Sequence, residues 1–131
     1  MSKPALDLEV IASFRDLQTE DDPHFLRDYL LAFLAPIPGR LAAIGEAIKN
    51  QDYPSLGAET HALRSSCANT GLALMTDLCD RLEQLGKNSS INLVQLGKNS
   101  SIDSASGLFE QLKAEFAQVK AEIDLLPEFK K

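Results

Sequence analysis

The residues of this chain that could do chemistry are few, and one group is spaced to act together. His61 stands in the run Pro54-Ser55-Leu56-Gly57-Ala58-Glu59-Thr60-His61-Ala62-Leu63-Arg64-Ser65-Ser66-Cys67-Ala68-Asn69-Thr70-Gly71. On a helix turning about 100° per residue, Leu56, Leu63, Cys67 and Thr70 share one side. Leu63 lies about 200° and Cys67 about 240° round from His61. The apolar stripe therefore faces a core while the imidazole faces water. Residues three, four and seven positions away are surface neighbours on a helix. For His61 these include Gly57, Ala58, Ser65 and Ala68, all very small, and the cation Arg64. A glycine inside a helix costs about 1 kcal/mol relative to alanine, so Gly57 speaks for open space beside the ring. A neutral imidazole, with a reference pKa of about 6.5, is a good nucleophile near neutrality. A guanidinium one turn away suits an anion. This is a histidine equipped to meet another protein and hold an anionic group.

Placing such a group requires helices, and the periodicity supplies them. Leu6, Val10, Phe14 and Leu17 mark a first short helix over 6–17. After a polar break, Asp21 or Asp22 is the expected cap of a long second helix with Pro23 at its first position. Phe25, Leu26, Tyr29, Leu30, Phe33 and Leu34 form its wide apolar face. Pro36, Pro38 and Gly39 predict a bend or break over 35–39, after which Leu41, Ile44, Ala47 and Ile48 resume the pattern. Asp52 is the expected N-cap of the histidine helix, with Pro54 in its first turn, and Gly71 ends it. A helix over 72–85 then carries Leu74, Leu78, Leu82 and Leu85 on one stripe. The last helix starts at Asp103 or Ser104, buries Leu108, Leu112, Phe116, Val119 and Ile123, and ends before Pro127. The charges between Lys113 and Lys120 are its solvated face.

Between the last two helices lies a duplication. Gln84-Leu85-Gly86-Lys87-Asn88-Ser89-Ser90-Ile91 recurs as Gln95-Leu96-Gly97-Lys98-Asn99-Ser100-Ser101-Ile102, with a period of 11 residues. That period keeps helical phase, yet Gly-Lys-Asn-Ser-Ser is a poor helix former and a good turn. A long surface insertion over about 86–102 is expected, with at most a short helical piece over 91–96, and no function attaches to it. The whole reads as one all-α domain over 1–131, an up-down antiparallel four-helix bundle with an additional short N-terminal helix.

Composition narrows the function. The 131 residues are 44% hydrophobic and carry a net charge of −6, which argues for a packed core and against nucleic acid as a partner. No basic cluster that would dock on anionic lipid, no secretory signal and no apolar run near the length of a membrane span is visible, so a cytoplasmic location is expected. Cys67 and Cys79 fall on apolar helix faces and read as reduced core residues. Zinc held by Cys67, Cys79, His61 and His24 has no supporting spacing, and His24 beside a proline and two acids reads as a surface residue. With no glycine-rich nucleotide loop and no acidic cluster for magnesium, neither ATP binding nor self-phosphorylation is expected. Asn69 reads as a group satisfying the backbone near Gly71.

The order His61, Leu63, Arg64, Ser66, Asn69, Gly71, then Leu78-Cys79 and Leu82-Glu83, resembles the histidine-containing phosphotransfer (HPt) domain family. Its usual pattern is His-x-Leu-Lys-Gly-Ser-Ser, a glycine a few residues on, then Leu-Cys-x-x-Leu-Glu. The stretch from Phe25 to Leu34 is similar to that family's long second helix, so most of the chain is covered. Arg64 stands where lysine is commoner and keeps the charge. Ser65 stands where glycine is usual and narrows access slightly. The resemblance implies a phosphorelay intermediate of two-component signalling. His61 would accept a phosphoryl group from an aspartate of a receiver domain and pass it to another receiver aspartate. Gly57, Ala58, Ser65 and Ala68 would form the receiver-docking surface, and Arg64 would hold the phosphoryl group. Glu83 would either orient the ring or stand as a plain solvent carboxylate. No cofactor belongs to the chain itself; magnesium would come with the partner. Such a protein is a phosphohistidine carrier without kinase activity of its own. Its partners would be receiver domains of response regulators or hybrid sensor kinases. The rival readings are a docking module for receiver or kinase domains that is never phosphorylated, and a metal-binding bundle, which would need inward Glu and His pairs; no Glu-x-x-His is present.

Overall fold

The computed structural model describes residues 5–96 and 100–129, with side chains described outside 88–104. Among these residues every regular element is helical. They are α1 (Leu8–Asp16), α2 (Phe25–Leu34), α3 (Ile37–Lys49), α4 (Tyr53–Asn69), α5 (Ala73–Leu96), α6 (Ser100–Asp124) and a final 3₁₀ turn, Pro127–Phe129. α4 packs against α3 and α5, and α6 against α5 and α3, while α1 lies on α2.

Local chemistry explains most of the boundaries. Asp7 caps α1 by accepting from the backbone N–H groups of Glu9 and Val10. Asp52 caps α4, accepting from Ser55 N at 3.2 Å and from Ser55 Oγ at 2.7 Å, and Pro54 sits in the first turn, where its missing N–H costs nothing. α4 ends in a Schellman motif: Gly71 N donates to Ala68 O, and Leu72 N donates to Cys67 O. Gly71 has φ +74, and a Cβ there would lie 2.7 Å from Val10 Cγ2 on α1. Only glycine both adopts that backbone and lets α1 close over the α4–α5 turn. Capping there rests on Thr70, whose Oγ1 donates to Ser66 O at 2.9 Å, and not on the Asn69 side chain; Asn69 supplies its carbonyl to Tyr29 Oη.

Several expectations need correction. α2 begins at Phe25 with His24 as its N-cap, whose own side chain makes no capping hydrogen bond. Neither Asp21 nor Asp22 fills that place; the Leu26 N–H is taken by Gln18 Oε1 at 3.1 Å. The apolar stripe of α5 is rotated from the expected one. Leu72, Met75, Leu78, Cys79 and Leu82 are buried, while Leu74 is exposed, because α5 meets both α4 and α6 and needs a broad inner face. The expected surface loop is helical from Gly86 to Leu96 and again from Ser100. The 11-residue period holds the helical phase, and the weak intrinsic propensity of Gly-Lys-Asn-Ser-Ser does not break it here. The middle of the second copy, 97–99, lies outside the described residues. Finally, Phe25–Lys49 is long and apolar enough to cross a membrane by length and composition, with a mean hydropathy of 1.4 over an 18-residue window within it. In the fold its Leu26, Leu30, Phe33, Ile37, Leu41, Ile44, Ala47 and Ile48 are buried in the core.

That core is aliphatic. Leu56, Leu63 and Cys67 of α4 meet Met75, Leu78, Cys79 and Leu82 of α5 and Leu112, Val119 and Ile123 of α6. Cys67 and Cys79 are both buried free thiols; their mutual hydrogen bond and burial push the Cys67 thiol up, so it stays protonated. The N-terminal segment is tied to α6, where Glu122 accepts from Ala5 N at 2.8 Å and Leu6 N at 2.9 Å. Arg15 of α1 makes a two-pronged bond to Glu128, with Nε at 2.7 Å and Nη2 at 3.0 Å.

Candidate functional site

α4 turns Leu56, Thr60, Leu63 and Cys67 inward and leaves the His61 side chain 57% exposed. Ala58, Ser65 and Ala68 are exposed and Gly57 is half-buried, and a Cβ at Gly57 would meet nothing within 4 Å. The ring therefore rises from a low, open patch.

Beneath it lies Glu83 of α5. Its side chain is only 4% exposed, yet it reaches the ring, with Oε2 3.0 Å from His61 Nδ1. Arg64 joins the two, its Nε donating to Glu83 Oε1 at 2.8 Å and its Nη2 standing 3.0 Å from His61 Nδ1. A further group, unremarked in the sequence, completes the cluster: Lys87 Nζ lies 3.2 Å from Glu83 Oε2. The Glu83–Lys87 spacing of four residues was the available signal, but it has meaning only if α5 continues beyond 85.

Electrostatics fix the state of the carboxyl. Burial alone would raise it, but hydrogen bonds from Arg64, Lys87 and His61 outweigh burial and hold Glu83 below its ordinary value. It is an anion near neutral pH. That assigns the histidine tautomer. A lone pair on Nδ1 would face the carboxylate at 3.0 Å, acceptor against anion, so the proton belongs on Nδ1 and is donated to Oε2. The Arg64 Nη2 contact is then donor against donor; it is compensated through the shared carboxylate. Nε2 is left as the basic nitrogen, on the ring edge away from Glu83.

His61, Arg64 and Glu83, separated by up to 22 residues, thus meet at one point. Tyr53, Pro54, Gly57, Ala58, Gly86 and Lys87 line a shallow groove along the α4–α5 seam beside them. His24 is exposed, and no group of three or more His, Cys, Asp or Glu side chains that could hold a metal ion occurs among the described residues.

The described helices thus present an accessible imidazole, His61, backed by the Glu83 carboxylate. Residues 28–122 match the model of the Hpt domain family, and the chain belongs to that family. It is similar to histidine-containing phosphotransfer protein B (HptB) from Pseudomonas aeruginosa PAO1, with 26% sequence identity and a TM-score of 0.70 over 92% of this chain and 91% of that one. No curated protein sequence matches it. The chain is a phosphotransfer intermediate of a two-component phosphorelay.

Proposed function

We propose that His61 is the phosphorylated residue and that Nε2 is its nucleophile, shuttling phosphoryl groups between receiver-domain aspartates of response regulators or hybrid sensor kinases. The observation that carries this reading is the 3.0 Å contact of an almost buried, ionised Glu83 with Nδ1. It orients the ring, leaves Nε2 free, and stabilises the positive charge that the ring gains when Nε2 bonds to phosphorus. Arg64 has guanidinium donors beyond the Nε held by Glu83, and these serve the phosphoryl oxygens. Phosphoryl transfer needs positioning and charge neutralisation more than covalent help from the protein, and this cluster offers both.

Gly57, Ala58, Ser65 and Ala68 form the receiver-docking surface, kept low so that a partner's acidic pocket, with its magnesium, can close on the ring. The helices α3 to α6 form an up-down antiparallel bundle, with α1 closing one end, in a single domain that acts in the cytoplasm. The chain takes no cofactor of its own and acts as a carrier without autonomous kinase activity. The test is incubation with a phosphorylated receiver and magnesium. An acid-labile, alkali-stable phosphate lost in His61→Gln supports the relay. Tight receiver binding without label would instead make this a docking module.

A further inference from the structure

Lys87 belongs to the duplicated Gly-Lys-Asn-Ser-Ser unit. α5 carries it one turn beyond Glu83, and its Nζ lies 3.2 Å from Glu83 Oε2. That is the same oxygen that faces His61 Nδ1, whereas Arg64 Nε holds the other, Oε1. Two cations therefore serve one carboxylate. With Glu83 negative and Arg64 and Lys87 positive, the resting cluster has one positive charge in excess, on a chain whose net charge is −6. The two cations differ in freedom. Arg64 is anchored on the carboxylate through Nε and is 32% exposed. Lys87 is 60% exposed on a flexible four-carbon stem with three rotatable donors.

The following rests on the reading of His61 as the phosphorylated group. The Nε2 lone pair attacks the phosphorus of an aspartyl phosphate. The N–P bond forms, the P–O bond to the aspartate breaks, and the aspartate leaves as a carboxylate with that electron pair. The ring keeps its Nδ1 proton, so a dianionic acyl phosphate and a neutral ring become a carboxylate and an imidazolium carrying a phosphoryl dianion, with no change in total charge. Both parts of the product act on Lys87 in the same direction. The imidazolium tightens its own bond to Oε2 and repels the ammonium from that oxygen, while the phosphoryl oxygens attract it. We infer that Lys87 is a mobile phosphoryl-binding cation, held on Glu83 in the resting site and handed to the phosphoryl group when His61 is phosphorylated. The first copy of the duplicated unit thereby gains a role: Gly86 lets α5 approach α4, and Lys87 completes the site.

The experiment phosphorylates wild type, Lys87→Ala, Lys87→Arg and, as a charge control on α6, Lys120→Ala with phosphoramidate, and titrates the phosphohistidine by ³¹P NMR. Loss of a neighbouring cation should raise the phosphoryl pKa of Lys87→Ala by about half a unit, with Lys87→Arg and Lys120→Ala close to wild type. Long-range ¹H–¹⁵N spectra of the unphosphorylated proteins should show the same His61 tautomer in all four. A phosphoryl titration identical in wild type and Lys87→Ala overturns the inference while leaving the relay intact. So does a change confined to the unphosphorylated ring, which would make Lys87 a support for Glu83 alone. A wild-type His61 that takes no label removes the reading on which the inference rests.

Discussion

Gly86 of α5 lies against the backbone of α4, so that a Cβ at Gly86 would stand 3.2 Å from Gly57 N and 3.2 Å from Tyr53 O. This close crossing, one turn from both Glu83 and His61, lets a short carboxylate side chain on one helix reach the ring on the next. It also yields a stability prediction. Gly86→Ala must push backbone from backbone, a strain of about 1–3 kcal/mol that exceeds the gain of about 1 kcal/mol in helix propensity. Gly107→Ala in α6 meets nothing within 4 Å and should stabilise by about 0.5–1 kcal/mol. Urea unfolding of the two variants should move in opposite directions, and transfer should fall only in Gly86→Ala.

Glu83→Gln keeps the shape but loses the charge that stabilises the phosphorylated ring. Phosphoryl uptake from a receiver should slow about tenfold, the equivalent of about 1.4 kcal/mol, with helicity by circular dichroism unchanged. Equal single-turnover rates for the two proteins would exclude Glu83 from the reaction.

Arg64→Ala should also slow transfer by about tenfold or shorten the phosphohistidine lifetime. Arg64 is partly exposed, so the melting temperature should move little. Unchanged kinetics would leave Arg64 as a support of Glu83 only.

A bulky side chain at Gly57 should obstruct the patch without disturbing the helix, since the Cβ direction is open. Gly57→Leu should weaken receiver binding in titration calorimetry while phosphoramidate still labels His61. Normal receiver affinity would place the docking face elsewhere.

Acid should destabilise the fold through four carboxylates, Asp52 among them, lowered by its hydrogen bonds from the Ser55 side chain and backbone. Burial raises Glu83, but its hydrogen bonds to Arg64, Lys87 and His61 prevail and lower it. Burial likewise raises Glu122, but the Leu6 and Ala5 backbone N–H groups prevail. The hydrogen bond from Arg15 lowers Glu128. A carboxylate depressed on folding contributes stability above its unfolded pKa and loses it as pH falls through the folded value. Glu115, raised by burial and by Glu122, runs the other way and offsets part of this. Urea midpoints should be flat above about pH 5 and fall below about pH 4.5, and the fall should be smaller in Glu122→Gln.

The exposed face of α4 was legible because an isolated helix obeys its own period: Leu56, Leu63, Cys67 and Thr70 are buried and His61 is not. Asp52 and Gly71 were legible as punctuation for the same reason, since capping and a positive φ are local requirements. Local rules failed where neighbours decided. Leu74 matches the α5 repeat as well as Leu78 does, yet it lies outside, because which part of a leucine-rich stripe is covered depends on the crossing with α4 and α6. Gly86, Lys87, Asn88, Ser89 and Ser90 favour a turn by propensity, yet a bundle can hold them in a helix. What the chain itself determined is therefore the set of helices around His61 and the side of α4 on which it stands. Tertiary structure alone decided that Glu83 is buried beneath that ring with Arg64 and Lys87 on its two oxygens, because the meeting depends on the distance and register between two helices and no pattern within either one encodes that.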